Sequence, residues 1–436
     1  MNRISEAVYA ARLLVLIACV FSSGNAMAHD ISSGLDGRVV VGYQGWFGCP
    51  GDFEDNESWQ HWFSKDVRPD HLTVDLLPSV RDINPEDLCD TRLPRADGNG
   101  VIKLFSSQNQ NVVNQHFKWM RQQGIDAAAV QRFISEVAFP EKRRRSDHVI
   151  ENVLAAARAN GRTFYVVYDI TGSNPKTVIK DIRDDWRYLS STLKIIDESA
   201  YLHDHSKPVI GIWGFGLGDR PGDPGDVNAL IRDLKQGSNG LAAATVVGGV
   251  PTHWRTLTDD SKSDPRWANV YRSYDVISPW IVGRIRDETS ADEFSRKIIS
   301  PDVVEARKSG VRYMPVVFPG FSWHNLMKNG RVPVWRDVNQ IPRGCGRFLW
   351  HQIANILNLH VDSIYVAMFD EVDEGTAIFP TETRQDKLPE GSTMLYLNED
   401  GCSLPDDWYL KVVAAASSKL KTRTPVSVNL DDIVRP

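Results

Sequence analysis

The sequence predicts a (β/α)8 barrel, a TIM barrel, with enlarged loops on its catalytic face. Three observations carry that expectation. Short apolar, β-branched runs recur eight times. The gaps between them hold helical patterns. The residues that end the runs are repeatedly aromatic or acidic. Runs that are continuously apolar suit strands covered on both faces of a parallel sheet. Eight such units indicate a closed barrel, with an open doubly wound sheet as the alternative.

In chain order the runs are residues 38–43, 125–132, 163–169, 208–213, 243–248, 275–280, 311–317 and 361–367. Helical patterns lie between them. Residues 114–123 are amphipathic and stop at Gly124. Ser146-Asp147 can cap a helix that ends at Asn160-Gly161. Residues 230–235, 291–308 and 346–357 behave likewise. Two segments are too long for simple connections: 47–101, which contains Trp59-Gln60-His61-Trp62, and 379–404. Long loops on a barrel's catalytic face shape a substrate cleft. No low-complexity linker or fixed-period repeat divides the chain, so residues 29–436 are expected to form one domain.

Residues 1–28 form a secretory pattern. Arg3 and Arg12 precede an apolar run, and Ala26-Met27-Ala28 offers a small-residue cleavage site before His29. The run is short for a membrane span, and no stable insertion is expected after cleavage. Export would leave Cys49, Cys89, Cys345 and Cys402. An even count suits two disulfides, and proximity favours Cys49–Cys89 and Cys345–Cys402 among three possible pairings. The formal charge of −6 over 436 residues argues against nucleic acid or an anionic membrane as partner. Oligomeric state is not constrained.

Chemistry in a barrel sits at the C-terminal strand ends. Here those ends and the loops above them supply Tyr43, Gln44, Trp46, His61, Trp62, Gln131, Arg132, Asp169, Trp213, Trp254, Trp280 and Trp323 as candidate substrate-binding residues. Trp is the unusual component, with 13 copies. Flat aromatic faces at a rim suit stacking on sugar C–H surfaces. His253 and His324 lie nearby without metal-ligand spacing.

The eighth run ends in Met368-Phe369-Asp370-Glu371-Val372-Asp373-Glu374-Gly375. Four acids within five residues repel one another, and a shared site would raise at least one pKa. Glu371 and Glu374 are the candidate catalytic pair. Glycoside hydrolysis needs two carboxyls flanking one bond. Residues three apart on a strand face opposite ways, so convergence requires a turn after Phe369, which Gly375 permits. A solvated acidic loop and a divalent-cation site are the alternatives. The run Trp213-Gly214-Phe215-Gly216-Leu217-Gly218 lacks the dinucleotide glycine spacing. Lys142-Arg143-Arg144-Arg145 reads as a solvated basic face. No acyl-transfer motif stands out, and no cofactor or metal is expected.

Tyr43-Gln44-Gly45-Trp46-Phe47, His61-Trp62, Gln131-Arg132-Phe133, Ile212-Trp213-Gly214 and residues 369–375 together resemble secreted bacterial relatives of the family 71 and family 99 glycoside hydrolases, some of which are labelled xylosidase/arabinosidase. The resemblance covers most of residues 39–379. It implies a (β/α)8 glycosidase acting on an α-linked oligo- or polysaccharide with retention. By resemblance to family 99 endo-α-mannosidases, Glu371 would deprotonate the substrate's 2-hydroxyl, which forms a 1,2-anhydro sugar. Glu374 would protonate the leaving oxygen and later activate water. Val372 and Asp373 stand where that family typically has Trp and His. A barrel that binds sugar without cleaving it, and a metal-dependent hydrolase, are the competing expectations.

Overall fold

The structure is a computed structural model that describes residues 34–53, 57–329 and 337–436. The secretory pattern at 1–28 lies outside the described residues.

All eight expected strands form. They are β1 (Arg38–Tyr43), β2 (Ala127–Phe133), β3 (Thr163–Asp169), β4 (Lys207–Trp213), β5 (Thr245–Gly249), β6 (Val276–Ile277), β7 in two pieces (Arg312–Tyr313 and Val316–Val317) and β8 (Ser363–Val366). Consecutive strands pair in parallel from β1 to the first piece of β7. The second piece of β7 pairs with β8, and β8 pairs with β1, Val40 opposite Tyr365. The two pieces of β7 are joined by Met314-Pro315, so the sheet returns on itself as a closed barrel rather than an open doubly wound sheet.

β6 and β7 are shorter than the apolar runs that announced them. Pro279 and Pro315 explain this, because each lacks the N–H that a ladder requires. Isolated bonds continue the pairing around them, such as Trp280 N to Val250 O at 3.0 Å and Tyr365 N to Pro315 O at 2.9 Å.

Helices cover the barrel. α1 (Gln110–Gln122) is capped by Asn109, whose side chain accepts from the Asn111 and Val112 amides. α2 (Pro140–Asn160) starts before Ser146-Asp147, because Pro140 suits a first turn; it ends at left-handed Gly161. The basic run 142–145 therefore lies on its opening turns. Between β6 and β7 the helix is interrupted: Ser295–Ile299 is a wider turn between Glu288–Phe294 and Ser300–Lys308.

Both enlarged loops sit above the C-terminal strand ends and are pinned. Disulfides join Cys49 to Cys89 and Cys345 to Cys402. The first loop contains an antiparallel pair, Cys89–Pro94 with Val101–Leu104. Bridges between Leu76 and Leu395, Pro78 and Thr381, and Arg95 and Pro389 join the loops to each other. Among the described residues, no helix is long and apolar enough to cross a membrane.

Candidate active site

The acidic run is held by its backbone. Phe369 N donates to Gly42 O at 2.7 Å, which docks the run on β1. The chain then turns back, as the amides of Thr376 and Ala377 both donate to Glu371 O, at 3.1 and 3.0 Å. Gly375 has φ +64°, and a Cβ there would lie 3.0 Å from Ser322 N. Only glycine permits both that backbone and that approach of the loop after β7. Arg343, itself buried, donates to the carbonyls of Gly375 and Ala377, both at 2.8 Å. From the first enlarged loop, the amides of Asp75 and Leu76 donate to Val372 O at 2.9 and 3.1 Å.

This turn is no solvated loop. Asp370, Glu371 and Asp373 are 0%, 5% and 1% exposed, and Glu374 is half-buried. Each acid has a different setting. Asp370 accepts from Gln44 N at 2.8 Å and Gly45 N at 2.9 Å, tying β8 to β1; burial still lifts its pKa to about 6. Glu371 accepts on both oxygens, from Gln44 Nε2 at 2.5 Å and Thr376 Oγ1 at 2.7 Å. Burial and then the charge of Glu374 push its pKa well up, against those donors. Glu374 is lifted to about 8 by burial, then by Asp373 and Asp169. Asp373 is raised by burial and Glu371, and its Oδ1 has no hydrogen-bond partner.

Close like charges cannot all ionise. Between Glu371 and Glu374, Glu371 is the one whose oxygens both receive donors, and donors favour the ionised form. Glu374 is faced by other acids, which favour its protonated form. Burial and neighbouring acids raise both carboxyls; what separates them is that Glu371 accepts a hydrogen bond on each oxygen.

Two cavities open at this end of the barrel. A small one of about 30 Å³ lies in the mouth, walled by Gln131, Tyr165, Trp213, Trp280 and Tyr365 among others. A larger one of about 280 Å³ lies above β1 and β2, and Gln44, Trp46, His61, Gln131 and Phe133 form part of its wall. Trp46 is sandwiched between His61, with centroids 4.4 Å apart, and Phe133, 5.6 Å away. Trp213 and Trp280 meet edge to face at 5.7 Å. Gln131 lines both cavities. Gln44 joins the larger one to Glu371.

Gln44, Trp46, His61, Gln131, Trp213 and Trp280 are thus brought to the cleft. Asp169 stands at the end of β3, buried, and accepts from Thr171 N at 2.7 Å; its charge acts on Glu374. Four other candidates are structural. Tyr43 is fully buried, with its hydroxyl 3.0 Å from His116 Nδ1. Trp62 is fully buried and donates to Phe105 O at 3.1 Å. Trp254 is fully buried and donates to Asp302 at 2.9 Å. Arg132 is buried under β2, where Asp185 takes its Nε and Nη2 at 2.6 and 2.8 Å and Asp147 its Nη1 at 2.9 Å. Trp323 packs on Phe321 at 5.3 Å and lines neither cavity. His253 is held by Asp260 at 2.9 Å.

Sequence patterns missed Thr376, Arg343 and Asp75 as supports of the motif. Asp75 is buried and accepts from the amides of His324 and Asn325 at 2.7 and 2.8 Å. Thr376, five residues beyond Glu371, was within reach of the motif. Asp75 and Arg343 reach it only through the tertiary fold. Among the described residues, no three His, Cys, Asp or Glu side chains are disposed to hold a metal ion.

Fold and site together define a closed (β/α)8 barrel with two carboxyls, Glu371 buried and Glu374 half-buried, just beyond the C-terminal end of its last strand. The fold is similar to two solved structures of a GH99 endo-alpha-mannosidase from Bacteroides thetaiotaomicron. One, in complex with bis-tris-propane, aligns with a TM-score of 0.61 and 17% identity, covering 89% of this chain and 98% of the other. The second aligns with a TM-score of 0.61 and 16% identity, covering 89% and 99%. No protein-family model matches the chain, and no curated protein matches it. At this identity the likeness establishes the shared fold.

Proposed function

We propose that the protein is an exported glycoside hydrolase that cleaves an α-linked saccharide with retention, using Glu371 and Glu374. The observation that carries this is a pair of acids at the strand ends whose pKa values are both raised by burial and neighbouring acids, with Glu371 alone of the two held by a donor on each oxygen. The secretory pattern at 1–28 and the two disulfides support export.

In this mechanism ionised Glu371 takes the proton of the substrate's 2-hydroxyl. That oxygen attacks C1, and the bond from C1 to the leaving oxygen breaks. Glu374 gives its proton to the leaving oxygen. Water, deprotonated by Glu374, then opens the 1,2-anhydro sugar at C1, and Glu371 returns the proton to O2. Two inversions give net retention. Trp213 and Trp280 supply apolar faces for a sugar ring. The endo-alpha-mannosidases that share the fold make an α-mannoside the first substrate to try.

The test is a screen of α-mannan, α-glucan and arabinoxylan fragments, with product anomers followed by NMR. Release of the retained anomer from an α-linked fragment is expected. An inverted product would exclude the anhydro-sugar route.

A further inference from the structure

Beside the aromatic slab, the larger cavity has a basic wall. Lys142, Arg143 and Arg145, from the opening turns of α2, line it together with Gln44, Trp46 and Gln131. The acids Asp52 and Glu136 also line it, and both are engaged. Glu136 pairs with Lys142 at 3.2 Å. Asp52 accepts from Cys49 N at 2.7 Å and Ser106 Oγ at 2.8 Å. Arg143 lies over the Tyr188 ring, 3.5 Å from its centroid, with Asp147 at 3.9 Å.

Arg145 is different. Among the described residues it has no carboxylate within ion-pair distance; Asp52 interacts with it only through its charge, and its guanidinium lies 5.9 Å from the Phe53 ring centroid. Gln44, Gln131 and Trp46, which line the same cavity, each carry a buried polar atom without a hydrogen-bond partner. Gln44 is only 7% exposed. A guanidinium at a cavity wall with no carboxylate in direct contact is free to take a ligand oxyanion in a charge-assisted pair.

We infer that this cavity is a subsite for a saccharide unit bearing an oxyanion, a carboxylate or a sulfate ester, held by Arg145 beside the Trp46 slab. The inference rests on the glycosidase proposal and adds the charge class of the substrate. It assigns a ligand to a basic run that sequence alone presents as a solvated face.

The test is calorimetric binding to the full chain carrying Glu374→Gln, with three matched α-linked oligosaccharides: neutral, uronate-containing and sulfated. The measured quantity is the ratio of anionic to neutral affinity. A preference of about tenfold is expected, the size of one charge-assisted hydrogen bond. It should weaken with salt, vanish in Arg145→Ala and return in part in Arg145→Lys, with thermal melts checking that both variants fold. The uronate and sulfate arms identify which oxyanion is taken. Equal affinities, or a preference that survives Arg145→Ala, overturn the inference. Hydrolysis by the wild-type protein is followed in parallel. Cleavage without an anionic preference overturns only the subsite. A preference that depends on Arg145, without cleavage of any saccharide, supports the subsite and counts against the glycosidase proposal. No binding overturns both.

Discussion

Gln44 and Glu371, at the ends of adjacent strands β1 and β8, are joined by a 2.5 Å hydrogen bond from Nε2 to Oε1. The same glutamine reaches the wall of the larger cavity. One residue therefore couples the proposed base to the space where a substrate would lie.

Removing that donor should raise the proton affinity of Glu371, because hydrogen bonds to the ionised form favour it. Gln44→Ala is expected to lower kcat about tenfold or more and to move the acidic limb of the kcat/KM profile to higher pH. Gln44 also touches the cavity, so KM will change. Thr376→Val, which removes the other donor, should reproduce the pH shift with less change in KM. A pH–rate series on both variants checks this.

Glu374, held at about 8 by burial and by Asp373 and Asp169, should act as a protonated acid at neutral pH. Activity is expected to fall as pH rises through about 8. The same shift has a consequence for stability. A carboxyl whose pKa is higher in the folded than in the unfolded chain binds more protons when folded, so its contribution is complete below the unfolded pKa and declines as pH rises through the folded one. Wild-type protein should lose thermal stability between pH 5 and pH 8 more steeply than Glu374→Gln, which lacks this one of the raised carboxyls. Melting temperatures across that range measure the difference.

Arg132 and Trp213 should separate cleanly. Arg132→Ala leaves Asp185 and Asp147 without their buried counter-ion, and is expected to cost about 3–5 kcal/mol in denaturant unfolding. Trp213→Ala removes one wall of the barrel mouth and should raise KM with little loss of stability. Equal effects of the two on KM would contradict the placement of Arg132 beneath the barrel wall.

The Cys345–Cys402 disulfide holds the second enlarged loop against the segment that contains Arg343. Cys402→Ala should lower stability by about 2–4 kcal/mol, measured by denaturant unfolding. It should also reduce kcat, since Arg343 supports the Gly375 and Ala377 carbonyls of the motif.

Much of this was legible in the sequence. The eight runs became eight strands, and the acidic run fell at the end of the last. The prolines at 279 and 315 carried the information that β6 and β7 would be short. Strand parity explains part of the overassignment at the rim. Side chains alternate along a strand, so Gln131 turns into the barrel while Arg132 turns out to the helices, and Gly42 and Gln44 face in while Tyr43 faces out. Taking neighbours together assigned both members to the cleft. Trp62 and Trp254 lie on loops, where no periodicity separates a packed tryptophan from a cleft one. Asp75, over 290 residues from the motif it supports, leaves no local pattern. The same holds for the basic run, whose position on the cavity depends on where α2 starts.

The central claim is that Glu371 and Glu374 together cleave a glycosidic bond. Its most direct test is the turnover of the α-linked fragment identified by screening, compared among wild type, Glu371→Gln and Glu374→Gln, each verified as folded by its melting curve. Loss of about a thousandfold or more in kcat for each single variant is the expected result. Retention of wild-type turnover by either variant would contradict the account.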